Sequence, residues 1–323
     1  MFRTLKFLIT DSILWCYLVP FRALIRLLPR KAVYGMAKAV APLLYLIERK
    51  KGIHQTCEDF FQGTDKTLSQ DQIVDISKKS YEIFVTRHFE DIFMGHLRPE
   101  DLAQMVDIEG REHLDAALAE DKGVIIQLAH FGSFMMILPA LAFKGYTVNQ
   151  LVGNPHLKHH RPIHRLMFEA KVKENSLLPV TFIHADKSVR TVVNALKNNE
   201  LVAMALDGRD ANEWVKAPMA GKTVILSPGN LRLASMTGAL ILPTFMISQG
   251  NNRYKLIIEE PFRLEQIKDK EEFLKKNMER LAKIFEKYFL QHPSHIVKTL
   301  NELQYRADKG VNKQPFFERR PKE

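Results

Sequence analysis

The chain is short of cysteine. Among 323 residues only Cys16 and Cys57 occur, far apart and without the spacing of a metal knuckle or a redox pair. A disulfide scaffold is excluded, and a reduced chain facing the cytoplasm is expected. The chain also lacks an uninterrupted apolar run of the ~20 residues that a membrane-spanning helix needs. Its opening stretch, "MFRTLKFLITDSILWCYLVPFRALIRLLPRK", is apolar for about fifteen residues but is broken by Asp11, Pro20 and Arg22. No small-residue cleavage site follows, so no removable secretory signal is expected. Internal repeats, low-complexity tracts, an HExxH glutamate and any basic patch interleaved with aromatics are absent too, which leaves no sign of a required metal or of a nucleic-acid reader.

Negative charge is in deficit. Lys and Arg number 47 against 37 Asp and Glu, a formal net charge of +10. The partner is therefore anionic: a membrane surface, an acidic carrier protein, a phosphorylated substrate or nucleic acid, among which charge alone does not choose. What the chain has in quantity is core material, since 46% hydrophobic and 26% charged residues suffice for one large domain or a domain with an appendage.

In the opening stretch Phe7, Trp15, Tyr17 and Phe21, with Arg22, Arg26, Arg30 and Lys31, suit a helix that lies in or dips into the cytoplasmic face of a bilayer. A buried core helix is the alternative. Residues 1–48 are thus expected as a membrane-associated helical segment, 49–300 as an α/β domain with a helical N-terminal scaffold, and 301–323 as a basic tail. Within the scaffold, "IVDISKKSYEIFVTRHFEDIF" carries apolar residues at helical spacing. After a polar connection through "RPEDLAQMVDIEG", strand signals alternate with helical ones: "GVIIQLA", "YTVNQLVG", "PVTFI", "LVAMALD", "ALILPTFMIS" and "RYKLIIEEPF". Such alternation predicts an α/β fold with a mostly parallel central sheet flanked by helices, whose ligands bind beyond the carboxyl ends of the strands. "EEFLKKNMERLAKIFEKYFLQHP" predicts a long amphipathic helix. The tail "KGVNKQPFFERRPKE" reads as loosely ordered, with Phe316 and Phe317 as its anchor.

Three groups carry chemistry. In "GVIIQLAHFGSFMM" His130 stands at the end of the first strand, where a helix beginning near Phe131 would offer free backbone N–H groups and Gly132 would let a substrate approach the backbone closely. A base there takes a proton from a hydroxyl while the amides hold a tetrahedral oxyanion; a structural histidine is the plainer reading. In "LVAMALDGRD" Asp207 ends a buried strand and Arg209 offers a five-donor fork for phosphate or carboxylate, beside Asp210. An Asp-Gly turn with solvated charges reads the same letters. In "GNPHLKHHRPIHR", His156, His159, His160 and His164 sit among Lys158, Arg161 and Arg165, whose charges repel a divalent cation and attract phosphate, so a basic rim is preferred to a metal site.

Taken in order from residue 1 to about 290, these elements resemble the lysophospholipid acyltransferase superfamily, within it the bacterial lipid A late acyltransferases. The resemblance rests on "KGVIIQLAHFGSF", "VGNP", "LKNNELVAMALDGRD" and "APMAGKTVILSPGNLRLASMTGALILP". It implies transfer of an acyl group from acyl carrier protein or acyl-CoA to a hydroxyl of a lipid acceptor, a lipid A precursor or another glycolipid or lysolipid, at the cytoplasmic face of a bacterial inner membrane. It implies no cofactor beyond the thioester co-substrate. His130 is the implied base and Asp207 its orienting or charge-balancing partner. Phe131, Gly132, Ser133, Asn154, Lys158, Arg161, Arg165, Arg209 and Asp210 are the implied oxyanion and substrate contacts. The sequence departs from the family pattern where an acid should follow the histidine after four residues, because that slot holds Met135. A thioether carries no charge and cannot fix an imidazole tautomer. Three accounts follow: another carboxylate, Asp207 or Asp210, has taken over; the donor has changed, for example to an aminoacyl carrier-protein thioester; or the chain binds lipid without turnover. The C-terminal "HPSHIVKTLNELQYRADKG" also departs from the family, and "QHPSH" reads as a helix stop followed by a loop.

Overall fold

A computed structural model of the chain describes residues 11–12, 14–153, 162–184, 189–209, 211–311 and 314–318. Among these, the apolar runs form β1 (Val106–Glu109), β2 (Val124–Leu128), β3 (Val148–Val152), β4 (Val180–His184), β5 (Leu201–Ala205), β8 (Leu240–Gly250) and β9 (Arg253–Ile258), one sheet in the order β1-β9-β8-β2-β5-β3-β4. Every neighbouring pair is parallel except β8 and β9, which form an antiparallel hairpin. The central strands are continuous apolar runs because helices cover both faces. Alternate residues go to opposite cores: Ile125, Val202 and Ile241 to one, Val124, Ile126, Ala203 and Leu242 to the other.

The structure adds strands that the sequence did not announce. β1 lies inside the stretch read as a polar connection, and a separate hairpin joins β6 (Val215–Met219) to β7 (Lys222–Leu226). Its turn residues, Ala220 and Gly221, both have positive φ, at 51° and 67°. That geometry usually selects Asn-Gly or Asp-Gly, so Ala-Gly hid the hairpin.

The N-terminal helices α1 (Arg22–Leu27), α2 (Arg30–Glu48) and α3 (Ile53–Phe61) lead into α4 (Gln70–Phe93). α4 opens on a reciprocal cap in which Gln72 N donates to Ser69 Oγ and Ser69 N donates to Gln72 Oε1. α2 turns Val33, Tyr34, Ala37, Ala41 and Tyr45 inward, with Tyr34 edge-on to Phe93 and Tyr45 edge-on to Tyr81 of α4. Its other side leaves Val40, Leu43, Leu46 and Ile47 exposed, and α1 exposes Leu24 and Leu27. One face of this segment is thus core and the other is apolar and outward. Among the described residues no helix is long and apolar enough to cross a membrane. Arg22 and Arg30, expected at a lipid surface, turn inward: Arg22 pairs with Glu174 and Arg30 with Asp101, while Phe21 packs edge-on to Phe89. Phe7 and the Tyr17 side chain lie outside what is described.

α5 (Pro99–Met105), α6 (Arg111–Leu118), α7 (Ile137–Ala142), α8 (Pro162–Asn175), α9 (Val189–Lys197) and α10 (Gly229–Thr237) connect the strands. The amphipathic α11 (Lys270–Gln291) follows, then α12 (Val297–Asp308), which runs across the expected boundary at residue 300. The tail is not loose where described. Ile225 N donates to Phe316 O, Glu318 N donates to Thr223 O, and Phe316 is buried, so residues 314–318 extend the β6–β7 hairpin.

Candidate active site

The site follows from register. Parallel pairing of β2 with β5 sets Leu128 against Ala205, so His130 and Asp207, each two residues farther on, leave the sheet side by side. The His130 Nδ1–H donates to Asp207 Oδ1 at 2.9 Å, and the His130 backbone N–H reaches the same carboxylate at 3.1 and 3.2 Å. Asp207 is buried, 2% exposed at its side chain, whereas the imidazole is 41% exposed. Burial alone would raise the Asp207 carboxyl, but His130, Arg209 and the backbone amide outweigh it and hold the group below the ordinary carboxylate range. A buried anion thus fixes one ring nitrogen and leaves Nε2 as the base.

The loop after β2 is tied down at each residue. The Thr299 hydroxyl donates to His130 O at 2.9 Å, and Phe131 stacks between Phe289 and His295. Gly132 has φ +56°, and a Cβ there would sit 2.7 Å from Met246 O and 2.8 Å from the His295 ring. Glycine is therefore required by the protein's own packing. Under the loop lies Glu90, a fully buried carboxyl that receives the Tyr34 and Tyr254 hydroxyls. Burial pushes Glu90 upward, past what those hydrogen bonds restore.

Two expectations about this loop need correction. Helical turns begin at Phe134 rather than near Phe131, as a short 3₁₀ turn (Phe134–Met136) before α7. Three of the amides in this loop are engaged: Phe131 N donates to Ala129 O, Gly132 N to His295 O and Met136 N to Ser133 O. The close packing around Gly132 is reason enough for its conformation. Met135 lies on the 3₁₀ turn, packed against the core, and its slot is not where the carboxylate is supplied.

His130, Asp207 and Met135 border a cavity of about 1120 Å³ whose walls are mostly apolar, including Leu151, Phe182, Met236, Phe273 and Leu303. It is larger than a typical small-molecule pocket and suited to a long apolar group. Arg87, Arg232, Lys270, Glu302 and Arg306 add charge to its walls.

Arg209 borders the cavity but is not a free fork. Its Nε donates to Asp207 O at 2.9 Å, its Nη1 to Ile225 O and Pro315 O at 2.9 and 3.0 Å, and it stacks over Trp214 and Phe316. Burial, partly offset by Asp207, brings its guanidinium down to about 10. It clamps the Asp207 turn to the tail. Arg165 is exposed on α8, paired with Glu169 at 3.0 Å, and does not border the cavity. Asn154, Lys158, Arg161 and Asp210 lie outside the described residues, as do His156, His159, His160 and the His164 side chain. Among the described residues no group of three His, Cys, Asp or Glu is placed to hold a metal ion.

Sequence reading missed Thr299, Glu90 and Arg87, and set His295 aside as part of a helix stop. Thr299 and His295 lie more than 160 residues from the loop they brace, with no local signal. Arg87 had one: Tyr81, Phe84 and Arg87 follow at spacing three on α4, one column of a helix otherwise rich in charges.

No curated protein matches the chain. Residues 2–297 match the family model described as bacterial lipid A biosynthesis acyltransferase. With a carboxylate-held histidine on a large apolar cavity and nearly the whole chain covered, the protein is an acyltransferase and belongs to the bacterial lipid A biosynthesis acyltransferase family.

Proposed function

We propose that the cavity beside His130 transfers an acyl group from a thioester, carried by acyl carrier protein or coenzyme A, to a hydroxyl of a lipid A precursor or a related glycolipid. The observation that carries this reading is the 2.9 Å bond from His130 Nδ1 to buried Asp207 at the cavity wall. Nε2 takes the proton of the acceptor hydroxyl as its oxygen attacks the thioester carbonyl. The tetrahedral intermediate then expels the thiolate, which recovers the proton from the imidazolium. Asp207 stabilises that imidazolium, the work the family assigns to the acid replaced by Met135. The relocated carboxylate is thus our account of the departure, ahead of a changed donor.

The apolar walls fit an acyl chain, and the +10 charge fits an acidic carrier protein or anionic lipid. The outward apolar faces of α1 and α2, flanked by exposed Lys31, Lys38, Arg49 and Lys50, fit a protein resting on the cytoplasmic face of the bacterial inner membrane. General-base catalysis is worth about 10² to 10⁴ in rate. His130→Ala should therefore abolish the lipid mass increment produced by the full chain in cells, measured by mass spectrometry of membrane lipids. An unchanged increment would refute the role of His130.

A further inference from the structure

The Phe131, Gly132 and Met136 amides are engaged inside the loop, which turns attention to the side chains of the cavity wall for the carbonyl oxygen that turns negative. Arg87 of α4 borders the cavity and lies over the Phe134 ring at 5.4 Å, and the His130 imidazole meets that same ring at 4.7 Å. Arg87 also lies over Phe84 at 5.2 Å, yet it makes no hydrogen bond or ion pair to any described residue. Glu302, on the same cavity, pairs with Lys298 at 3.3 Å instead. The fold therefore keeps a part-buried cation at the cavity wall, on the same ring as the base, where a transient anion on the substrate would meet it. Burial lowers the guanidinium from its ordinary value, and Asp91, then Glu302, Glu90 and Asp207, oppose that shift.

Resting on the acyl-transfer reading above, we propose that Arg87 is a catalytic residue whose guanidinium receives the oxyanion. As the acceptor oxygen bonds to the thioester carbon and its proton passes to His130 Nε2, the carbonyl electron pair moves onto oxygen and into the Arg87 fork. When the C–S bond breaks, that pair returns to the carbonyl and the thiolate takes the proton. A guanidinium stays charged at a part-buried wall and offers the oxyanion a rigid fork, which an amine does not.

The test uses the full chain in membranes, with a lauroyl thioester of acyl carrier protein and of coenzyme A as donors and a lipid A precursor as acceptor. Arg87→Gln should lower kcat by about 10² to 10³ while KM for either substrate moves less than about threefold, the signature of an interaction made only in the transition state. Arg87→Lys, which keeps the stem and charge, should fall by about tenfold and also serves if Arg87→Gln does not fold. Wild-type kcat in Arg87→Gln or in Arg87→Lys, or a loss confined to KM, overturns the proposal while leaving the acyltransferase reading intact. A wild-type chain that transfers from neither thioester overturns the thioester reading and this proposal together.

Discussion

Two histidine-bearing turns touch beneath the cavity, and they do opposite work with the same side chain. His130 is half exposed, holds Asp207 through Nδ1 and presents Nε2 to the cavity. His295, in the 3₁₀ turn Pro293–His295, is buried, accepts Ser248 N at 3.0 Å and lends its carbonyl to Gly132 N. No carboxylate reaches it, and its Nδ1 has no partner among the described residues. Burial, then the nearby His292, pushes its pKa down to about 3. The difference is the carboxylate. An imidazole given a buried anion can accept a proton and keep it, whereas one given only aromatic rings stays neutral and serves as a brace.

The contact between the turns is the place to break this comparison. Gly132→Ala puts a methyl group against Met246 O and the His295 ring in a backbone region that costs an L-residue ~1–2 kcal/mol before any clash. The combined loss should be ~2 kcal/mol or more in denaturant midpoint, with transfer lost as the His130 loop is displaced. A smaller effect separates the histidines by pH. Because His295 has a folded value depressed to about 3 against 6.5 unfolded, its contribution is complete above pH 6.5 and is lost as pH falls from there toward 3. At pH 5.5 the loss is ~1 kcal/mol. His295→Gln, which retains an acceptor for Ser248 N, should flatten the stability profile between pH 7 and 5, as followed by urea unfolding at each pH.

Much of this arrangement was legible in the letters, and the reason the rest was not is physical. The apolar runs before His130 and Asp207 identify both as strand-end residues, which places them on the ligand-binding edge of an α/β sheet. Their pairing was not readable, because β2 and β5 are brought together by sheet order and register, both properties of distant contacts. The same limit hid how Arg209 is held. A guanidinium after an Asp-Gly turn looks free on every side until Pro315 and Ile225, from far along the chain, supply the carbonyls that take its Nη1. "QHPSH" was rightly a helix stop, yet nothing local says that its last histidine packs on Phe131. For Arg87 the only local sign was its place in the Tyr81–Phe84 column of a helix otherwise rich in charges.

The relocated acid is the claim on which the mechanism turns, and Asp207→Asn examines it with almost no change in shape. An amide carries no charge to stabilise the imidazolium, so the rate of acyl transfer by the full chain should fall by about 10² to 10⁴, with the thermal midpoint showing the protein still folded. Transfer at the wild-type rate would contradict the account, because it would show that the imidazole works without the only carboxylate the described structure places on its ring.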